Sequence, residues 1–96
     1  MYVVRDIFKT KPGKAKELVN KFKQAEPFMK EAGYKNTKIL TDVVSNYWTV
    51  VIELEIESLE AFEKSEGFSS RPEVKEIMKG YMDLVLGGYR EIFKIN

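Results

Sequence analysis

The sequence predicts an α+β fold with its elements in the order β-α-β-β-α-β. Three observations predict it. "NYWTVVIELEI" (Asn46–Ile56) alternates strictly, with Trp48, Val50, Ile52, Leu54 and Ile56 on one face and Tyr47, Thr49, Val51, Glu53 and Glu55 on the other. "KAKELVNKFKQAEPFMKEAG" repeats Ala15, Leu18, Val19, Phe22, Ala25, Met29 and Ala32 at helical spacing. Runs of strand character stand at Tyr2–Lys9 and Tyr89–Ile95.

The elements follow in order. Tyr2–Lys9 places Val4 and Phe8 on one face and Val3, Arg5 and Ile7 on the other, and Pro12-Gly13 marks a turn. The helix after it carries Pro27, which cannot donate to the Lys23 carbonyl, so a kink or break is expected there. Gly33 is a natural stop. Lys38–Val44 reads as the second strand, with Ser45-Asn46 as a tight turn into the third. Ser58 is placed to cap "LEAFEK", and "GFSS" interrupts that helix. "SRPE" (Ser70–Glu73) has the form of a capping box, opening a helix that buries Val74, Ile77, Met78, Tyr81, Leu84 and Val85 and ends at Gly87-Gly88. This order at 96 residues describes one domain, 1–96, a ferredoxin-like sandwich with an antiparallel sheet in the order 4-1-3-2 and both helices on one face.

Composition excludes several chemistries. Sixteen basic residues balance fifteen acidic ones, which leaves no general pull toward nucleic acid or an anionic membrane. The third strand also lacks the glycine and basic residues of an RNA-binding sheet. Charge at Arg5 and Asp6 comes too early for a signal peptide, and no apolar run is long enough to span a bilayer. The chain has no cysteine, hence no disulfide, which fits the cytoplasm. It has no histidine either, so the commonest general base and the usual zinc and haem ligand are missing. No metal and no cofactor is expected.

Helices cover one sheet face, and the all-apolar face of the third strand belongs under them. The opposite face mixes bulky apolar groups with charge, a surface that invites association with a second copy. Glu53 then needs a cationic partner, either Arg5 or Arg90 according to the register. Neighbouring strands supply Arg5, Ile7 and Val3 or Asp6 and Phe8 from the first, and Arg90, Ile92 and Lys94 or Tyr89, Glu91, Phe93 and Ile95 from the last.

"KPGKAKELVNKF", "MKEAGYKNTKIL" and "YWTVVIELEIESLEAFEK" together resemble the dimeric α/β-barrel superfamily, and within it NIPSNAP-like and antibiotic-biosynthesis-monooxygenase-like domains. The resemblance covers nearly the whole chain and lies in order and spacing. It implies a homodimer whose two sheets close a barrel, with a ligand cavity between sheet and helices. Haem-degrading members use Asn, Trp and His. Here Phe62 falls about where the Trp would stand and Met78 about where the His would, which argues against haem. Cofactor-free monooxygenases of this group use Asn, Trp, Tyr and Arg side chains around an aromatic substrate, residue types this chain has, without a position-by-position correspondence.

Two functions stay open. One is a cofactor-independent monooxygenase-like or isomerase-like enzyme, or a binder of a small apolar or aromatic molecule. The other is a non-catalytic structural or effector-sensing dimer. The residues placed near a gap between the broken helices and the sheet are Phe22, Phe28, Trp48, Phe62, Phe68, Met78 and Tyr81, with Tyr81, Asn46 or Arg71 as orienting groups. Trp48 reads first as core, since it continues an apolar face, and Tyr81 and Tyr89 read first as packing. Catalytic candidates are Glu53, as an enclosed carboxyl, Tyr81 and Arg5. Glu53, Glu55 and Glu57 read as ion-paired charges before a cation site. Lys9, Lys11 and Lys14 read as a solvated turn before an anion site. The purified protein is expected to show no stoichiometric Soret band and to retain no zinc through chelation. Either signal would overturn the metal-free reading.

Overall fold

A computed structural model describes residues 1–64 and 67–96. Its strands are β1 (Tyr2–Thr10), β2 (Lys35–Thr41), β3 (Thr49–Ile56) and β4 (Val85–Lys94). Its helices are α1 (Ala15–Glu31), α2 (Leu59–Lys64), α3 (Gly67–Ser70) and α4 (Pro72–Met78), with a 3-10 turn at Tyr81–Asp83. Among the described residues the strands form one antiparallel sheet ordered β2-β3-β1-β4, which is 4-1-3-2 read from the other edge. This is the ferredoxin-like arrangement. No described helix is long and apolar enough to cross a membrane.

The core lies on one side of that sheet. Val4 from β1 and Val50, Ile52, Leu54 and Ile56 from β3 meet Leu18, Phe22, Ala25 and Met29 from α1. Burying each large apolar side chain stabilises the fold by about 1.5–3 kcal/mol. That seam explains why α1 continues through Pro27, where a kink or break was expected. Pro27 lies on the exposed side of the helix, so its missing donor leaves the Lys23 carbonyl near water while the buried stripe stays intact. Gly33 then ends the helix in a Schellman arrangement. Its φ is +91°, its N–H donates to Lys30 O at 3.0 Å, and Tyr34 N–H donates to Met29 O at 3.1 Å. Lys21 Nζ donates to the carbonyls of Ile77 (3.1 Å) and Lys79 (2.8 Å), tying α1 to the end of α4.

Turn chemistry is as read at two places and different at others. Pro12-Gly13 forms a turn with Gly13 at φ +77° and a Lys14 N–H to Lys11 O bond of 3.0 Å. Ser58 Oγ accepts the Ala61 N–H at 3.0 Å, capping α2. "GFSS", however, is itself the helical turn α3, and Arg71 rather than Ser70 is the N-cap of α4, with Pro72 at its start. The break in the helices falls partly on residues 65–66, outside the described residues. The last strand starts at Val85 and runs through Gly87-Gly88. A Cβ on Gly88 would run into the Ile7 carbonyl oxygen, so this glycine allows close strand approach rather than ending a helix.

The β2–β3 connection shows the largest departure. β2 occupies Lys35–Thr41, not Lys38–Val44, and residues 42–48 form a loop in place of a two-residue turn. Asp42 closes it, since its Oδ1 accepts the Thr49 N–H at 2.8 Å. Trp48 adopts φ +64°, and its carbonyl accepts from Thr10 N–H at 2.8 Å and Thr10 Oγ1 at 3.0 Å. Trp48 thus stands before β3, which begins at Thr49. The residue is 42% exposed, which corrects its reading as core.

The register also settles the uncovered face. Lys38, Glu53, Arg5 and Glu91 form one row across it, and Leu40, Val51, Ile7 and Tyr89 form the next. Glu53 lies 3.4 Å from Arg5 Nε and 3.9 Å from Lys38 Nζ. Arg90, the alternative partner for Glu53, points to the helix-covered side, because it stands opposite Asp6 and not opposite Arg5. Gly88→Ala should cost about 1–3 kcal/mol through the backbone clash. Urea unfolding would read it, and unchanged stability would show that the strands can separate there without penalty.

Candidate functional site

Helix coverage of the sheet is incomplete beyond α1, because α2, α3 and α4 are each seven residues or shorter. Between these segments and the sheet lies a cavity of about 390 Å³. Val4, Asp6, Phe8, Ile52, Leu54 and Arg90 form its floor. Phe22 and Met29 of α1, Tyr34, Phe62 and Glu63 of α2, and Phe68 and Ser69 of α3 form its walls. A second chamber of about 360 Å³ shares Phe8, Phe22, Met29, Phe68 and Ser69 and extends to Ala25, Val74, Lys75, Met78 and Tyr81. Both volumes fall in the range of small-molecule sites, and both linings are mainly apolar.

Aromatic rings shape the space. Phe8 and Phe22 have centroids 5.3 Å apart. Tyr34 lies 6.0 Å from Phe62 and 5.7 Å from Phe68, all in tilted arrangements. One ion pair interrupts this lining. Asp6 and Arg90 stand opposite each other on β1 and β4, and the guanidinium binds the carboxylate through two bonds, Nε to Oδ1 at 2.5 Å and Nη2 to Oδ2 at 3.0 Å. Donating these hydrogen bonds to Asp6 raises the Arg90 pKa above its ordinary value, against a smaller opposing effect of burial. The Arg90 Cζ also lies 5.1 Å from the centroid of Phe62, which holds the guanidinium plane. A fixed donor–acceptor pair at one end of an apolar space can orient a ligand.

Of the residues placed near a gap from the sequence, Phe22, Phe62, Phe68, Met78 and Tyr81 line these two chambers. Phe28 and Trp48 do not. Phe28 lies under the Arg71 guanidinium, whose carbon is 4.7 Å from the ring centroid. Arg71 in turn is held by Glu31 at 2.5 Å and Glu73 at 3.1 Å. Trp48 lines a separate groove with Ala15, Val19 and Asp42, so its fluorescence would not report on the chambers. Asn46 lies at the β2–β3 loop, on a shallow groove with Ile7 and Tyr89. Among the catalytic candidates only Tyr81 is on the helix side, since Glu53 and Arg5 face away from it. Among the described residues, no three His, Cys, Asp or Glu side chains cluster as a metal site.

Asp6, Arg90 and Tyr34 were missed as site residues. A signal existed for Asp6, because it shares its strand face with Val4 and Phe8. A carboxylate between two core residues demands a cation.

No family model and no curated protein matches the sequence. Solved structures do match its shape. An uncharacterised NIPSNAP domain protein from Burkholderia xenovorans superposes with a TM-score of 0.85 at 11% identity, over 100% of this chain and 95% of that one. The chain has the NIPSNAP-like fold. A second, NIPSNAP-like protein from the same organism gives 0.86 at 17% identity, over 99% of this chain and 84% of the other. A Chloroflexus aurantiacus protein assigned to the antibiotic biosynthesis monooxygenases gives 0.76 at 15% identity, over 99% and 93%. A double-mutant cycle on this NIPSNAP-like fold with Asp6→Ala and Arg90→Ala should give a coupling of about 1 kcal/mol, modest because Arg90 is half exposed. Thermal or urea unfolding of the four proteins measures it. Zero coupling would leave the pair without a structural role.

Proposed function

We propose that this protein binds a small apolar or aromatic molecule between its sheet and its helices and works as a homodimer joined through the uncovered sheet face. The observation that carries the binding reading is the 390 Å³ cavity with aromatic walls and the Asp6–Arg90 ion pair in its floor. Chemistry at such a site would be oxygenation by dioxygen or isomerisation of the bound molecule without metal or haem. The sequence supplies no histidine or cysteine to hold either group. The assignment of the Chloroflexus aurantiacus protein supports the oxygenation reading by shape alone.

Three features support the dimer, a dimeric α/β barrel. Leu40, Tyr89 and Phe93 are exposed on one sheet face, Tyr89 by 63%. The Nε of Arg5 is buried yet makes no hydrogen bond among the described residues. The row Lys38, Glu53, Arg5, Glu91 alternates in sign. A twofold axis parallel to the strands would lay each charge against its opposite, Lys38 on Glu91 and Glu53 on Arg5 of a second copy.

Sedimentation is expected to give about 22 kDa, twice the 11.2 kDa chain. Val51→Lys, which puts an unpaired charge among the apolar row, should return it to a monomer. A wild-type monomer across the micromolar range would sink the dimer. Calorimetric titration with quinoline should show saturable binding that Ser69→Trp removes by filling the rim shared by both chambers. Absence of binding in the folded wild-type protein would sink the ligand reading.

A further inference from the structure

We propose that the Asp6–Arg90 pair reads one edge of the ligand, and that the cavity takes a neutral, flat molecule carrying an N–H beside a C=O, as a cis-lactam does. This inference rests on the cavity being a ligand site. Its basis is the unused hydrogen-bonding capacity of the pair. Asp6 Oδ2 accepts one bond from Arg90 Nη2, 3.0 Å away. A carboxylate oxygen has a second lone pair and Nη2 a second hydrogen. Arg90 Nη1 makes no hydrogen bond among the described residues. An acceptor and a donor therefore stand side by side in the cavity floor. A cis-lactam edge presents the reverse pattern, with N–H for the carboxylate and C=O for the guanidinium.

Charge selects the same class. The pair is neutral as a unit, and Glu63 stands on the cavity wall. A carboxylate ligand would meet Asp6 and Glu63 while the charge of Arg90 is already matched. Shape selects it too. Phe8, Phe22, Tyr34, Phe62 and Phe68 offer ring faces and edges for a planar body, and the contact of Arg90 with Phe62 keeps the reading edge in place.

The test is calorimetric titration of the whole chain with 2-quinolone, quinoline and 2-naphthoate, probes of similar size that differ in that edge. 2-Quinolone should bind about tenfold tighter, or more, than either other probe, as expected for hydrogen bonds to charged groups. Arg90→Lys keeps the charge and loses the planar fork, so the ratio of 2-quinolone to quinoline affinity should fall toward one. Asp6→Asn, which replaces one acceptor oxygen by a donor, should lower the same ratio and serves if the lysine variant does not fold. Equal binding of 2-quinolone and quinoline, both blocked by Ser69→Trp, would overturn the edge reading and leave the apolar cavity standing. Tightest binding of 2-naphthoate would make the pair an anion site and overturn it as well. Binding of none of the three would remove both this inference and the cavity reading beneath it.

Discussion

Burial of one face of the sheet under α1 is the constraint on which the rest depends. Val50, Ile52, Leu54 and Ile56 alternate on β3, and Leu18, Phe22, Ala25 and Met29 recur along α1 so that the two stripes meet. Because side chains alternate strictly along a strand, a slip of one residue would turn Glu53 and Glu55 into the core. Register is thereby fixed, and with it the position of every residue on both faces. Asp6 is brought under the helices and Arg5 is sent to the opposite side by the same rule.

The cavity follows from what α1 does not cover. One long helix packs continuously on the sheet. The opposite side is roofed by the short segments α2, α3 and α4. Short helices cannot follow the twist of a sheet as a continuous one does, and aromatic side chains bridge the space that remains. Phe62 and Phe68 enter it from two different segments, with Tyr34 between them. The Asp6–Arg90 pair is the polar exception in the floor, and its two strands are hydrogen-bonded neighbours, so the backbone sets its geometry as much as the side chains do.

Much of the fold was legible because alternation and helical periodicity are strong signals over long segments. The strand order, the stripe on α1, the Pro12-Gly13 turn and the Ser58 cap could be read directly. The failures have physical reasons. Pro27 suggests a kink or break because its local cost is visible in sequence, whereas the seam that outweighs it is tertiary. Trp48 was read as core because alternation extends through it. Nothing in the sequence shows that Thr10, 38 positions away, would claim its carbonyl and turn the backbone. The candidate site was legible in its rings, Phe22, Phe62, Phe68, Met78 and Tyr81, since apolar residues must pack somewhere. It was not legible in its polar pair. Asp6 on an apolar face announced a missing cation, but only the β1–β4 register says that the cation is Arg90.

That pairing also bears on how the molecule assembles. β1 sits inside the sheet, flanked by β3 and by β4, and Asp6 and Arg90 are 84 positions apart. While the chain emerges from the ribosome, α1, β2 and β3 can collapse onto β1 early. One long edge of β1 nevertheless stays unpaired until residues 85–94 appear. An open, apolar strand edge is a template for pairing with other chains. Contacts between such distant segments are slow to form, because the intervening loop must close first. The charge of Asp6, midway along that waiting edge, makes it less welcoming to a stray strand and holds a place for the arginine that arrives last.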